Sequence, residues 1–225
     1  MASLTWQTSQ NHTVELLPNL VCLLQQVGLE LGSIKAIIVA QGPGTFNGLR
    51  VGVSTAKGLA FALNIPLVGV NTLEAEAYKF AFTRLPVRPI YEAGREEIAT
   101  ALYRQTDDEW QQLEENNLTT LAGLWPRTKG KTLFCGDISS SMMEEIQQNL
   151  GKQAMISQSN SPSRSSALIA LGWRKLTTGE QDDPVTMQPI YLRAPHITKP
   201  KGKSPPFAAT GKASETKNGD SQTRC

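Results

Sequence analysis

A two-part α/β fold is predicted for this 225-residue chain, and three observations predict it. Ile34–Ala40 (IKAIIVA) and Pro66–Val70 (PLVGV) are near-continuous apolar runs, the pattern of strands covered on both faces. Each run leads into a segment of helical character, and strand, helix, strand, helix in succession implies a right-handed βαβ unit with a parallel strand pair. At Pro86–Pro89 the texture changes to prolines followed by short strand-like runs, which places a boundary near residue 87. The expected organisation is an N-terminal α/β lobe over 1–87, a C-terminal α/β lobe over 88–195 and a basic tail over 196–225.

Residues 3–8 alternate polar and apolar side chains and read as a short strand. From Asn11 or His12 the apolar series Val14, Leu16, Leu17, Leu20, Val21, Leu23, Leu24, Val27 has helical spacing, with Pro18 near its start and Gly28 at its end. Pro18 removes one backbone donor and bends the helix if the first turn begins before it. A long helical segment spans Gly48–Leu63, and Asn71 or Thr72 caps the next helix, with Glu74 at the positive end of its dipole. In the second half, Pro89–Glu92, Ile98–Arg104, Trp110–Leu113, Thr132–Cys135 and 154–157 read as strands, and Gln188–Arg193 as a closing strand. Ser139 or Ser140 caps a helix running to about Leu150. A last helix, Ser163–Leu176, has Ala167, Leu168, Leu171 and Trp173 as its apolar anchors.

Composition narrows the function classes. The cysteines Cys22, Cys135 and Cys225 are odd in number and widely spaced, which excludes a disulfide scaffold and a cysteine-rich zinc module. His12 and His196 are the only histidines, so no HExxH motif exists and no metal site is expected. No apolar run reaches the roughly 18 residues that span a bilayer, and the first ten residues lack signal-peptide character. A cytoplasmic protein without membrane partners is expected. Lys199, Lys201, Lys203, Lys212, Lys217 and Arg224 concentrate positive charge in the tail, leaving the rest of the chain slightly acidic and without a basic nucleic-acid-binding fold. The tail has too little apolar area to offset its ordering entropy and is expected to be disordered, with a weak electrostatic attraction to RNA as the alternative role.

The most unusual segment is Gly42-Pro43-Gly44-Thr45-Phe46-Asn47-Gly48-Leu49-Arg50. It joins a buried strand to a helix, the setting in which backbone N–H groups cradle phosphate. It is not a Walker A loop, because Leu49-Arg50 stands where Lys-Ser/Thr is required, and Asn47 breaks the GxGxxG spacing. In the helix that follows, Gly48, Gly52, Ala56 and Ala60 recur every four residues along one face. Each interior glycine costs a helix roughly 1 kcal/mol relative to alanine. Two compensations fit: tight packing of this helix on its own sheet, or helix-to-helix contact with another subunit.

GPGTFNGLRVGVSTAKGLAFALNIPLVGVNTLEA closely resembles the GPGSFTGLRxG…AKGLAxALxIPLxGVxTLEA stretch of the TsaB (YeaZ) family. The resemblance extends to His12-Thr13-Val14-Glu15-Leu16-Leu17-Pro18, to Gly136-Asp137 after a strand, and to Pro189-Ile190-Tyr191-Leu192-Arg193. It covers about residues 5–193 and is densest over 34–77. It implies a two-lobed ASKHA (actin/Hsp70-like, ribonuclease-H-like) fold. It also implies a non-catalytic subunit of the bacterial machinery that makes threonylcarbamoyladenosine beside the tRNA anticodon. In that family TsaD carries out the transfer, TsaE supplies ATPase function, and tRNA is met through the complex. The subunit needs no cofactor of its own. Departures are visible: the family's opening strand and turn have no counterpart here, so the first lobe is expected to lack its opening strand. Asn47 replaces the usual Thr, and Tyr91–Arg95 replaces a D-A-R stretch.

The resemblance implies a docking face built from His12, Leu16, Leu17 and Leu20 of one helix and Gly48, Gly52, Ala56 and Ala60 of the next. Gly42, Pro43, Gly44 and Arg50 form the turn that sets them. The partner is a TsaD-type subunit, or a second copy of the chain when TsaD is absent. The alternative is a nucleotide-dependent ASKHA enzyme acting on its own. Ser54, Ser139 and Ser163 are available nucleophiles, but neither histidine stands in a triad setting. Asp107-Asp108-Glu109 reads as a solvated turn, and Arg50 and Lys57 as a helix edge or interface ion pair in preference to phosphate ligands. No second glycine-rich loop accompanies the first, which favours the partner subunit.

Overall fold

The computed structural model describes residues 2–7, 11–107, 109–157 and 164–193. The basic tail, Ser163 and Asp108 lie outside the described residues. Residues 2–7 have no regular secondary structure, so the short strand read over 3–8 does not form in its described part. Alternation alone does not hold a strand that has no ladder partner.

Helix α1 (His12–Gln26) carries Pro18 in its interior and ends at Val27 and Gly28, the latter at φ +69°. Strand β1 (Ile37–Gly42) pairs in parallel with β2 (Leu67–Asn71), Ile37 opposite Leu67 and Ala40 opposite Val70. Between them runs α2 (Phe46–Leu63), as the βαβ reading requires. Asn71 caps the short α3 (Thr72–Tyr78), its Oδ1 accepting from the N–H groups of Leu73 and Glu74 at 2.9 and 3.2 Å.

The chain then builds a five-stranded mixed sheet from β3 (Val87–Gly94), β4 (Glu97–Gln105), β5 (Trp110–Thr120), β6 (Thr132–Gly136) and β7 (Ala154–Ile156), in the order β5-β4-β3-β6-β7. β3 pairs antiparallel with β4 and parallel with β6. β5 continues well past Leu113, where its apolar alternation ends, because β4 supplies a full-length partner. Helix α4 (Ser140–Leu150) is capped by the Ser139 hydroxyl, which accepts from Met142 N–H.

Helix α5 (Arg164–Thr177) packs on the first sheet, against β1 and β2, and on α3. Ala167, Leu168 and Leu171 anchor it as the spacing predicts. Trp173 does not: it is 63 % exposed, because Ala167 and Leu171 define the inner stripe and Trp173 falls two residues off it. The two-stranded sheet is thus covered by α2 on one face, with Val53, Ala56, Ala60, Leu67 and Met187 between them, and by α5 and α3 on the other, around Val68, Val70, Ala75 and Leu171.

Gln188–Arg193 is not a closing strand. The segment after α5 runs as a strap over the first sheet. Asp182 bridges Leu67, Lys57 Nζ donates to the carbonyls of Val185 and Met187 at 3.2 and 2.7 Å, and Ile190 N–H donates to Gln41 O at 2.8 Å. With prolines at 184 and 189 it cannot supply a continuous ladder and uses single contacts instead.

Candidate functional site

Helix α1 is the least embedded element of the first half. It has eight apolar residues between Val14 and Leu24 or at its C-cap, yet none of its residues is buried, and it packs against α2. Leu16 and Leu20 are half-buried, whereas Leu17 and Val14 are exposed. The helix therefore has one apolar flank on α2 and another that faces outward.

Along the groove between α1 and α2 lie two adjoining clefts. The first, about 730 Å³, is lined by Trp6, Gln7, His12, Leu16, Gly48, Val51 and Gly52. The second, about 680 Å³, is lined by His12, Thr13, Asn47, Arg50, Val51, Ser54 and Thr55. His12 and Val51 form the ridge they share. One cleft is apolar, the other rich in hydroxyl and amide groups with Arg50 at its side. Arg50 lies over the Phe46 ring at 5.2 Å, and Phe46 in turn meets Tyr191 of the strap.

The small-residue row of α2 divides in two. Ala56 and Ala60 are buried in the core against the sheet, so they leave the outer face on which the sequence places all four residues. Successive four-residue steps on an α-helix rotate by about 40°, which carries the row from the outer side at Gly48 to the core side at Ala60. Gly48 and Gly52 stay beside the first cleft. A Cβ on Gly48 would meet only the Thr45 hydroxyl, at 2.7 Å, and a Cβ on Gly52 would meet nothing within 4 Å. Gly58 is equally open but lines neither cleft.

The turn ahead of α2 is tightly held. Gly42 and Pro43 are buried, joined by a cis peptide bond, and Gly44 packs beside Leu49. Gly42 sits at φ +117°, and a Cβ there would lie 2.6 Å from the Ile190 carbonyl oxygen. Thr45 provides no side-chain cap to the helix. Lys57 is engaged by the strap carbonyls. Asp107 pairs with Arg84 at the surface. Ser54 lines the polar cleft and Ser139 is a cap.

A second group of polar residues was not legible in the sequence. Glu76, 4 % exposed, accepts from Tyr91 Oη at 2.9 Å and from Arg164 Nε at 3.1 Å, and pairs with Lys79. Arg164 also stacks over the Tyr91 ring. Burial pulls the Glu76 carboxyl up, but the hydrogen bond and charge of Lys79, with Arg164 and Tyr91, outweigh it and hold it below the usual range. Burial pushes Asp137 up, against the pull of Arg164, and pushes the Tyr91 phenol and the Cys135 thiol well up. These residues come from α3, β3, β6 and α5, and share no local motif. Charges of both signs balance within the group, so it reads as a tie between elements. Among the described residues no cluster of three His, Cys, Asp or Glu could hold a metal ion, and no helix is long and apolar enough to cross a membrane.

The family described as TsaD, tRNA N6-adenosine threonylcarbamoyltransferase, matches residues 6–176. The tRNA threonylcarbamoyladenosine biosynthesis protein TsaB of Bacillus subtilis is 32 % identical over 189 residues, which cover 82 % of this chain and 80 % of that protein. The chain belongs to the TsaB (YeaZ) family. TsaB of Escherichia coli is 39 % identical over a shorter stretch, 28 % of each chain. The solved structure of YeaZ from Pseudomonas aeruginosa shares the fold, with a TM-score of 0.64 over 80 % of this chain and 84 % of that one, at 24 % identity. The TsaD-type domain of TsaB proteins is an ASKHA-like α/β fold, and the mixed sheet described above agrees with it.

Proposed function

We propose that this chain is a non-catalytic subunit in tRNA threonylcarbamoyladenosine biosynthesis, which docks onto a TsaD-type transferase through the α1–α2 face and activates it. Membership of the TsaB family supports the pathway. One observation carries the docking face: Gly52, an interior helix glycine that no neighbour in the chain requires, lies beside an apolar cleft on a helix pair whose outer flank is uncovered. A glycine that weakens its own helix by about 1 kcal/mol is explained by close approach of a second backbone. His12, Leu16, Leu17, Leu20, Gly48 and Gly52 form that face, with Arg50 at its polar end. The transferase performs the chemistry, a TsaE-type ATPase uses the ATP, tRNA meets the complex rather than this chain alone, and the chain works in the cytoplasm without a cofactor of its own. A second copy of the chain occupies the face when the transferase is absent.

The test is titration of a TsaD-type protein into the purified chain by calorimetry. Gly52→Leu is expected to weaken association by about ten- to hundredfold, the effect of overpacking by 1–3 kcal/mol. Circular dichroism verifies that the variant folds. Unchanged affinity in a folded Gly52→Leu variant moves the interface elsewhere. Nucleotide binding by the isolated chain tighter than about 10 μM favours instead a nucleotide-dependent enzyme.

A further inference from the structure

At the C-terminal end of α2, a groove of about 750 Å³ opens between the α2–β2 turn and the strap. Its floor is apolar: Ala60 and Leu67 are buried there, and Ile65 is half-buried beside them. Its walls carry Phe61 and Val185, which are 73 % and 68 % exposed although both line the same groove. Phe61 follows Gly52 by nine residues, about two and a half helical turns, so it stands on the flank of α2 opposite the α1 cleft. The groove is built from residues within 60–67 and 181–185 and shares none with the α1–α2 face except the buried Ala60.

The strap supplies the charge. Asp182 and Asp183 line the groove, Glu180 stands just before them, and no lining residue is basic. Asp182 accepts from Gly69 N–H at 2.7 Å, and Asp183 from Val185 N–H at 2.8 Å and the Thr186 hydroxyl at 3.0 Å. These bonds fix where the two carboxylates stand and leave their charges without a counter-ion. Among the described residues neither Asp182 nor Asp183 makes an ion pair. Lys57 acts on Asp183 from α2, but its Nζ is held by the carbonyls of Val185 and Met187. The groove therefore combines uncovered apolar walls with two adjacent, uncompensated negative charges.

We propose that this groove docks a segment of another polypeptide through an arginine set beside an apolar residue. Three features select arginine. Its aliphatic stem covers apolar surface while its charged head stays at the rim. Its guanidinium is attracted to an aromatic face such as the Phe61 ring. Its planar fork matches carboxylate acceptors, which Asp182 and Asp183 supply. The neighbouring apolar side chain fills the space between Phe61 and Val185 and covers their exposed surfaces. Lysine offers a point charge without a stacking plane and binds less tightly, and an acidic segment is repelled. The docked segment and the α1–α2 partner occupy opposite flanks of α2, so both can be bound at once.

Fluorescence anisotropy with the full-length chain and the labelled peptide acetyl-Gly-Leu-Arg-Leu-Gly-amide tests the groove. Saturable binding is expected at low salt, weakening as salt rises from about 50 to 500 mM. The same peptide with glutamine in place of arginine is expected to bind about tenfold more weakly or worse. Phe61→Ser is expected to weaken the arginine peptide by about tenfold. Asp183→Asn, which keeps an acceptor for Val185 N–H, is expected to weaken it by about three- to tenfold. Both residues are exposed, and circular dichroism verifies that the variants fold; Val185→Ser replaces Phe61→Ser should the latter fail to fold. Gly52→Leu is expected to leave peptide binding unchanged. The proposal is overturned by no saturable binding up to about 1 mM peptide. It is equally overturned if the glutamine peptide binds as well, or if folded wall and Asp183 variants bind the arginine peptide like the parent.

Discussion

Burying a carboxylate is costly unless donors surround it, and Glu76 meets that condition with Tyr91, Arg164 and Lys79. The three partners lie on different elements, so the charge stabilises α3 only once β3 and α5 are in place. Removing it strands Lys79, whose side chain is 8 % exposed. Glu76→Gln is therefore expected to destabilise the fold by about 3 kcal/mol at neutral pH, measured by urea denaturation. The pH dependence has a definite sign. Glu76 sits below its ordinary value of 4.5 in the folded protein, so its contribution is complete above that value and is lost as pH falls through the lower folded one. Glu74 and Asp137 are raised, chiefly by burial, and act with the opposite sign. The informative quantity is thus the difference between the parent and Glu76→Gln, which is expected to shrink as pH drops below about 4.5. A difference constant from pH 7 to pH 3 would show that the carboxylate charge contributes nothing.

At the scale of the element, Gly42 at the end of β1 and Gly52 within α2 have opposite requirements. Gly42 occupies a positive φ with the Ile190 carbonyl against it, whereas Gly52 has ordinary helical backbone and open space. Gly42→Ala is expected to lower the thermal midpoint through backbone strain and a carbonyl displaced by at least several tenths of an ångström. Gly52→Ala is expected to raise the stability of the isolated chain by about 0.5–1 kcal/mol, since it removes conformational freedom from the unfolded state without a clash. A destabilised Gly52→Ala variant would mean that the fold itself needs the glycine. The spacing of the row made α2 legible in the sequence, along with the parallel β1–β2 pair and the Asn71 and Ser139 caps, because periodicity and capping are local properties. What the row could not reveal is which of its residues turn inward: Ala56 and Ala60 are fixed by the position of the sheet, not by their neighbours in sequence. Residues 2–7 and 188–193 carry strand-like patterns but have no ladder partner, and Trp173 has the hydrophobicity of an anchor in an outward position. Tyr91 and Asp137 stand in stretches noted in the sequence, but their grouping with Glu76 and Arg164 was not legible, because only tertiary contact joins them.

The whole molecule depends on the strap. Met187 is 5 % exposed and completes the core between α2 and β2, Lys57 and Gln41 hold the strap carbonyls, and Arg193 reaches the second sheet through Ala93 O and Glu97. A segment without secondary structure of its own thus ties α2, the two-stranded sheet and the β3–β4 hairpin. A two-stranded sheet is marginal by itself in water, so the first half of the chain depends on this late segment and on α5 for its burial. Met187→Ala is expected to cost about 2–5 kcal/mol, the range for a large buried side chain reduced to a methyl. Lys57→Met adds the loss of two hydrogen bonds to strap carbonyls, and the double variant is expected to lose less than the sum of the single variants, because both changes release the same segment. Hydrogen exchange locates the effect: Met187→Ala is expected to accelerate amides in β1 and β2 before those in β3 and β4, whose core around Tyr103 and Phe134 does not touch Met187. Strictly additive variants, or exchange that accelerates equally in both sheets, would mean that the strap merely lies on the first sheet and does not hold it.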